Sequence, residues 1–207
     1  MPAESRLDFE AILRTLEAYR VEFIVVGGVC ALLHGAPVAT FDLDIVHSRN
    51  RENVARLLSA LQELDAYYRA QPDKRIGPSE SHLSSAGHQL LMTRFGPLDV
   101  RGSIGEGQEY ADLAPHAVDV QAGEGLTVRI LDLETLIRTK QETAGEKDLA
   151  VLAILRRVVQ EKSRGRRAHW WARTRSSSHF WRPSAPPGAS PVVGNRPAPT
   201  HREKPIA

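Results

Sequence analysis

One stretch of the chain, from Val21 to Ile45, constrains the fold more than any other: VEFIVVGGVCALLHGAPVATFDLDI. It opens with the apolar, β-branched run Phe23–Val26, which has the length of a buried strand. Gly27 and Gly28 end that strand at a point where the backbone turns tightly or lets a ligand approach closely. Residues 29–34 then predict a short helical turn. A strand, a glycine turn and a helix in this order indicate an α/β unit.

The same stretch ends in a second predicted strand, residues 40–45, whose side chains alternate between two faces. Its inward-facing residues are predicted to be Phe41, Leu43 and Ile45. Asp42 and Asp44 then share the opposite face. Two neighbouring carboxylates repel each other unless a cation lies between them, and oxygen ligands suit Mg²⁺. A glycine pair that can approach phosphate, followed by Asp-x-Asp, therefore predicts a site for a nucleoside triphosphate.

A third acid occupies a comparable position later in the chain. His88–Phe95 predicts a strand, Gly96 and Pro97 a turn, and Leu98–Arg101 a further strand. In that strand Asp99 faces away from the apolar residues on either side of it. A lone surface acid would be unremarkable, but this placement repeats the geometry of the Asp-x-Asp strand and makes Asp99 a candidate site residue.

The remaining pattern predicts helices around a small sheet. Helices are expected from Ser5, with Asp8 three residues on as its capping partner, and after Asn50, a good N-cap residue, then from Asp132 to Lys140 and finally over residues 146–161. The last two form a C-terminal helical pair. Residues 117–120 and 126–130 predict another hairpin, whereas residues 67–87 are polar and broken and predict a long loop. The expected fold class is α/β (α+β), a mixed β-sheet with flanking helices.

Composition divides the chain into two parts. Residues 1–162 hold 18 Lys and Arg against 24 Asp and Glu, a net charge of −6, and are expected to form one domain. Residues 163–207 hold 9 Lys and Arg against 1 Asp or Glu, a net charge of +8. They contain all three tryptophans and show no hydrophobic periodicity, so they predict a disordered basic tail. A single cysteine and the lack of a long apolar run favour a cytoplasmic protein that does not associate with membranes.

The motif Gly27-Gly28, followed after thirteen residues by Asp42-Leu43-Asp44, resembles the signature of the nucleotidyltransferase superfamily typified by DNA polymerase beta. It is most similar to the minimal nucleotidyltransferases of bacterial toxin–antitoxin and abortive-infection systems. The resemblance spans roughly residues 7–159. It implies a nucleotidyltransferase-like sheet, with Asp99 as the third carboxylate of the superfamily pattern.

The resemblance also implies roles for individual residues. Asp42, Asp44 and Asp99 would be the catalytic and metal-binding acids, holding Mg²⁺, and Gly27 and Gly28 would let the backbone approach the triphosphate, for example ATP. The resemblance places two further nucleotide-binding residues on the C-terminal helices: Lys140 and Lys147. The segment 144–147, Ala-Gly-Glu-Lys, lacks the basic residue that such proteins commonly carry before the Lys-Asp pair.

Two functions are open at this point. The first is Mg²⁺-dependent transfer of a nucleoside monophosphate from a nucleoside triphosphate to an acceptor hydroxyl, on tRNA, a partner protein or a small molecule. The resemblance adds a cognate toxin or antitoxin as an expected partner. The second is a catalytically degenerate interaction protein that binds a partner toxin or a nucleic acid. Magnesium-dependent binding of a triphosphate would distinguish the two.

Overall fold

The computed structural model describes residues 7–142 and 151–164. Nine strands occur in this part of the chain, two of them in a small separate ribbon. In chain order they are Phe23–Val26 (β1), Leu43–His47 (β2), Tyr67–Tyr68 (β3), His88–Thr93 (β4), Gly96–Arg101 (β5), Ser103–Ile104 (β6), Gln108–Glu109 (β7), Ala117–Gly123 (β8) and Leu126–Leu131 (β9). The predicted strands therefore form, although their ends differ from the prediction at some positions.

Six α-helices begin within residues 7–142, and the last of them is described as far as Glu142. They are Phe9–Ala18 (α1), Gly27–Leu33 (α2), Arg51–Glu63 (α3), Glu80–Leu83 (α4), Tyr110–Leu113 (α5) and Leu133–Glu142 (α6). Residues 151–164 are helical as well, and the predicted start of that helix lies outside the described residues. The predicted caps of α3 and α6 are observed: the side chains of Asn50 and Asp132 accept backbone N–H bonds from the first turns of these helices. The N-cap of α1 is Asp8, whose side chain accepts from Ala11 N–H, and the predicted start at Ser5 lies outside the described residues.

Seven strands form one mixed sheet in the order β3-β4-β5-β2-β1-β9-β8. β1 is antiparallel to β2 and parallel to β9, whereas β2 is parallel to β5. The hairpins β4–β5 and β8–β9 complete the two sides of the sheet. A mixed sheet with flanking helices confirms the predicted α/β fold class.

The core is one cluster of aliphatic side chains from the sheet and the helices packed on it. All four side chains of β1 are buried, and α1 and α3 bury apolar stripes that include Ile12, Leu16 and Leu57. The one cysteine, Cys30 on α2, is fully buried in this cluster, as expected for a small apolar residue. The strands that carry the candidate acids thus pack against a layer of buried aliphatic side chains.

Three local predictions are wrong. Strand β2 begins at Leu43 rather than at Thr40, and Phe41 lies in a bend with 73% of its surface exposed instead of facing the core. The turn of the β4–β5 hairpin falls at Arg94 and Phe95, because Gly96 and Pro97 already belong to β5. The predicted long loop over residues 67–87 contains β3 and α4.

The helices within the described ranges include none that is both long enough and apolar enough to cross a membrane.

Candidate functional site

Asp44 and Asp99 are neighbours on adjacent parallel strands. Asp44 of β2 lies in register with Asp99 of β5, and on its other side with Val26, the last residue of β1. Both acids are buried, with 8% of Asp44 and 3% of Asp99 exposed. Two carboxylates that are close together and removed from water require positive charge or strong hydrogen-bond donors near them.

Two arginines supply that charge. Arg101, two residues after Asp99 on β5, donates to Asp44 Oδ1 through Nε at 3.1 Å and Nη2 at 2.9 Å. The same Nη2 lies 3.7 Å from Asp99 Oδ2. Arg69, which follows β3, places Nη2 3.0 Å from Asp99 Oδ1. Two guanidinium groups thus balance two carboxylates, and Arg101 touches both acids.

His88 is the third side chain of the cluster. It is the first residue of β4 and pairs with Arg101 across the hairpin, and its Nε2 lies 2.9 Å from Asp99 Oδ2. One ligand atom from each of Asp44, His88 and Asp99 can be chosen so that all three lie within 4.8 Å of one another. Three adjacent strands of the sheet, β2, β5 and β4, therefore converge on one point.

The donors of this cluster fit a divalent cation. Carboxylate oxygens bind Mg²⁺ and Mn²⁺, and imidazole nitrogen binds the transition metals. Asp99 Oδ1 is buried and accepts no hydrogen bond, because Arg69 Nη2 directs its bond, at 3.4 Å, to Oδ2. The positive charges of Arg69 and Arg101 would repel a divalent cation bound beside these acids. The residues accordingly fit a metal ion once Arg101 moves away from Asp44.

The pKa of Asp44 is raised above its ordinary value. Burial is the main cause, since desolvation disfavours the charged form. The charge and hydrogen bonds of Arg101 lower the pKa in part, and the negative charges of Asp42 and Asp99 raise it again. Asp44 therefore depends on nearby positive charge to stay ionised, whether that charge comes from Arg101 or from a metal ion.

The glycine pair makes room for these side chains. Gly27 has a φ of +66°, and a Cβ at this position would collide with the carboxylate of Asp44. A Cβ at Gly28 would collide with Thr40, whose hydroxyl lies 3.2 Å from the Oδ1 of Asp42. The residue type at these two positions is thus set by close packing against the loop and strand that carry the acids.

A cleft of about 300 Å³ opens beside Asp44. It is lined on one side by Gly27, Asp44 and Arg101, and on the other by α6, which contributes Thr139 and Lys140. Its volume lies at the lower end of the range for small-molecule sites. A larger depression of about 420 Å³ contains a single carboxylate, Glu109, which is paired with Arg49. Only the smaller of these two cavities combines a buried acid with two basic side chains.

The structure brings some of the predicted site residues together. Asp44 and Asp99 are in contact with the same arginine, and Gly27 and Lys140 line the cleft next to them. Asp42 lies just before β2, is partly exposed, and is not a member of the three-residue cluster. Gly28 packs against Thr40 behind this loop. The seventh predicted site residue, Lys147, lies outside the described residues.

Three site residues escaped the sequence analysis: Arg69, His88 and Arg101. Arg101 could have been found, because it lies two positions after Asp99 and so shares its face of the strand. His88 could have been found only with the correct hairpin register. Arg69 comes from an irregular segment, and no local pattern links it to the acids.

Comparisons with known proteins give little further information. No protein-family model matches the sequence, and no curated protein matches it. Among solved structures, the chain is similar to a putative nucleotidyltransferase from Thermotoga maritima, at 18% sequence identity and a TM-score of 0.44. The match covers 73% of this chain and 90% of the other.

Proposed function

We propose that this chain is a metal-dependent nucleotidyltransferase, which transfers a nucleoside monophosphate from a nucleoside triphosphate to an acceptor hydroxyl. The observation that carries the proposal is the buried pair Asp44 and Asp99 at the edge of a cleft that also presents Arg101 and Lys140. A triphosphate bound with a divalent cation needs both kinds of group, carboxylates for the ion and positively charged side chains for the phosphates.

In this proposal the three acids Asp42, Asp44 and Asp99 hold the metal ion, Mg²⁺ in the simplest case. When bound, the ion would neutralise charge that develops on the transferred phosphoryl group and on the leaving pyrophosphate. Gly27 and Gly28 leave the backbone accessible to the phosphates. Asp42 lies just before β2 and is partly exposed, and in this proposal it would reach the ion from the solvent side.

The basic residues bind the substrate. Lys140 on α6 and Arg101 on β5 face the same cleft, so each can contact the triphosphate, and the motif resemblance adds Lys147 as a further phosphate contact. Transfer of a nucleoside monophosphate breaks the bond between the α- and β-phosphates and forms one to the acceptor oxygen. The acceptor is proposed to be tRNA or a partner protein, and a toxin–antitoxin partner follows from the motif resemblance alone.

One observation favours a second function, that of an interaction protein without catalysis. Arg69, Arg101 and His88 already satisfy most of the carboxylate oxygens of the acid pair, as a purely structural ion cluster would. In that case the acids hold three strands together and the cleft has no chemical role. Binding of a triphosphate would then be absent or independent of metal.

A thermal-shift experiment separates the two functions. With Mg²⁺ and ATP at 100 times its dissociation constant, the wild-type protein should gain about 2.7 kcal/mol and melt several degrees higher. Asp44→Asn should abolish the magnesium-dependent part of this shift. Asp119→Asn is the matched control, because Asp119 is an exposed acid on β8 whose partner is Arg129. Absence of any shift in the wild type, tested with each of the four common triphosphates, would remove the catalytic proposal.

A second measurement identifies the acceptor. The protein is incubated with each α-³²P-labelled triphosphate, Mg²⁺ and an RNA or protein fraction of a cell extract, and the labelled product is separated by size and by nuclease or protease digestion. Asp44→Asn or Asp99→Asn should lower labelling at least about 100-fold, by analogy with the loss of one preorganised electrostatic contact. Equal labelling by wild type and both variants would show that the acids take no part in the reaction.

A further inference from the structure

We infer that His88 is a metal ligand together with Asp44 and Asp99, and that its nitrogen makes the site prefer Mn²⁺ over Mg²⁺. The inference deepens the proposed function, and the role of the bound metal ion rests on that function. It concerns a residue that the Asp-x-Asp motif does not contain. It also makes a statement about metal identity that oxygen ligands alone would not support.

Position in the sheet is the first argument. β4, β5 and β2 are consecutive strands, and the cluster takes one ligand residue from each. The three ligand atoms lie within 4.8 Å of one another. Three ligand atoms spaced equally around one ion at about 2.1 Å are about 3.6 Å apart. From the 4.8 Å limit, each atom would have to move inward by up to about 0.7 Å, which requires side-chain rotations.

Unused bonding capacity is the second argument. Asp99 is almost completely buried, yet its Oδ1 accepts no hydrogen bond. Arg69 Nη2 lies 3.0 Å from this oxygen in an ion pair that is not a hydrogen bond, so Oδ1 keeps acceptor capacity that a bound cation could use. His88 approaches the other oxygen of the same carboxylate, Oδ2.

The histidine can change its bonding without a change of charge. In the neutral tautomer that matches the present contact, His88 Nε2–H donates to Asp99 Oδ2 and the lone pair lies on Nδ1. When the proton moves to Nδ1 through solvent, Nε2 has a lone pair for the metal. About a third of the His88 side chain is exposed, so water reaches the ring. The tautomers have the same protons in total, and the carboxylate loses one hydrogen bond and gains a metal bond.

The nitrogen determines which metal is preferred. Mg²⁺ strongly favours oxygen ligands and octahedral water, whereas imidazole is a good ligand for first-row transition metals. Mn²⁺ accepts both carboxylate and imidazole, and it can replace Mg²⁺ in phosphoryl chemistry. A site with two carboxylates and one imidazole should therefore bind Mn²⁺ more tightly than Mg²⁺, by a margin that depends on His88.

Pulsed EPR of bound Mn²⁺ tests the ligand directly, without nucleotide or turnover. Wild-type protein is labelled with ¹⁵N-histidine and titrated with Mn²⁺ alone at pH 8, and ¹⁵N coupling to the manganese spin is recorded. Coupling should be present in the wild type and in His116→Gln, a control histidine that lies beside Asp132 on the surface. It should be lost in His88→Gln.

Affinities provide the second readout. His88→Gln should weaken Mn²⁺ binding at least about tenfold, since even the loss of a group that only orients a ligand costs 10–100-fold. Mg²⁺ binding should change little, so the Mn²⁺/Mg²⁺ preference should fall. His88→Asn serves as a second variant if His88→Gln is poorly folded. The wild-type ¹⁵N spectrum tests histidine ligation without any variant.

The outcomes distinguish this inference from the proposed function. Bound Mn²⁺ without ¹⁵N coupling would overturn the role of His88, while metal-dependent ATP binding would still support the transferase. ¹⁵N coupling without any metal-dependent ATP binding would support the metal site and remove the transferase. No saturable Mn²⁺ binding below about 1 mM, the weak end of protein sites for divalent ions, would overturn the inference.

Discussion

Arg101 offers the sharpest test of the site, because it occupies the place where a cation would be needed. Its guanidinium donates two hydrogen bonds to Asp44 Oδ1, at 3.1 and 2.9 Å. A metal ion that binds Asp44 must displace these bonds. Arg101→Gln removes the competing positive charge and keeps a polar, though shorter, side chain. We therefore expect this substitution to strengthen metal binding.

The size of the effect follows from the contact. Hydrogen bonds to charged groups contribute roughly 1.5–3 kcal/mol. The lower end applies here, because about a third of the Arg101 side chain is exposed and solvent screens the pair. A release of about 1.4 kcal/mol corresponds to a tenfold change in affinity. Arg101→Gln should thus bind Mn²⁺ about tenfold more tightly than wild type. The free energy of unfolding of the apoprotein should fall by about 1–2 kcal/mol, because Asp44 becomes a buried acid without its partner.

The assay is a titration followed by the EPR signal of free Mn²⁺. It is run at pH 8, because the pKa of Asp44 is already raised by burial and rises further without Arg101. Arg101→Lys keeps the charge and should stay close to wild type. Arg94→Gln, an exposed arginine that pairs with Glu63, is the control for arginine loss elsewhere. Equal or weaker Mn²⁺ binding by folded Arg101→Gln would refute the view that Arg101 and a metal compete for Asp44.

Three further predictions concern stability and reactivity. Burial lowers the pKa of His34, whose Nδ1 lies 3.3 Å from Lys162 Nζ, so its stabilising neutral form is fully present above pH 6.5. Stability should therefore fall as the pH drops below 6.5 towards the folded-state pKa, and chemical denaturation at pH 5–8 should show a smaller loss for His34→Gln. Burial raises the pKa of Cys30 to about 12, so native protein should not react with a thiol reagent at pH 8, and prompt labelling would contradict its burial. Gly27→Ala and Gly125→Ala both place alanine at a φ of +66°, but only the first meets a side chain. Each should lose roughly 1 kcal/mol for the backbone, and Gly27→Ala should lose clearly more, whereas equal losses in denaturant titrations would exclude the packing role assigned to Gly27.

Local patterns were sufficient to predict the fold around the glycine pair. The apolar run, the two glycines and the acid-bearing strand each carry their own signal, and the observed β1, α2 and β2 follow them. Phe41 was assigned to the core because it alternates with Leu43 and Ile45. Alternation predicts a face only within a strand, and β2 begins after Phe41, so this side chain lies in a bend and is exposed.

The site could be predicted only in part, because it depends on hairpin register. Gly96 and Pro97 are typical turn residues, but the turn closes two residues earlier. The Thr93 hydroxyl donates to Gly96 O at 2.7 Å and accepts from Phe95 N–H at 3.1 Å, which fixes the shorter turn. This register places His88 opposite Arg101. A turn at Gly96 and Pro97 would have moved a different residue into that position, so the histidine was missed.

The neutral ion cluster also has a consequence for how such a protein is made. Many small metal sites exist only when the ion is bound, because unpaired acids or thiolates keep the apo chain from folding. Here Arg69 and Arg101 come from the same chain as Asp44 and Asp99, so a newly synthesised molecule carries its own counter-ions. It can complete its sheet before it meets any metal. If the cluster takes a metal ion as proposed, supply of the ion would control when the site is loaded, and not whether the protein folds.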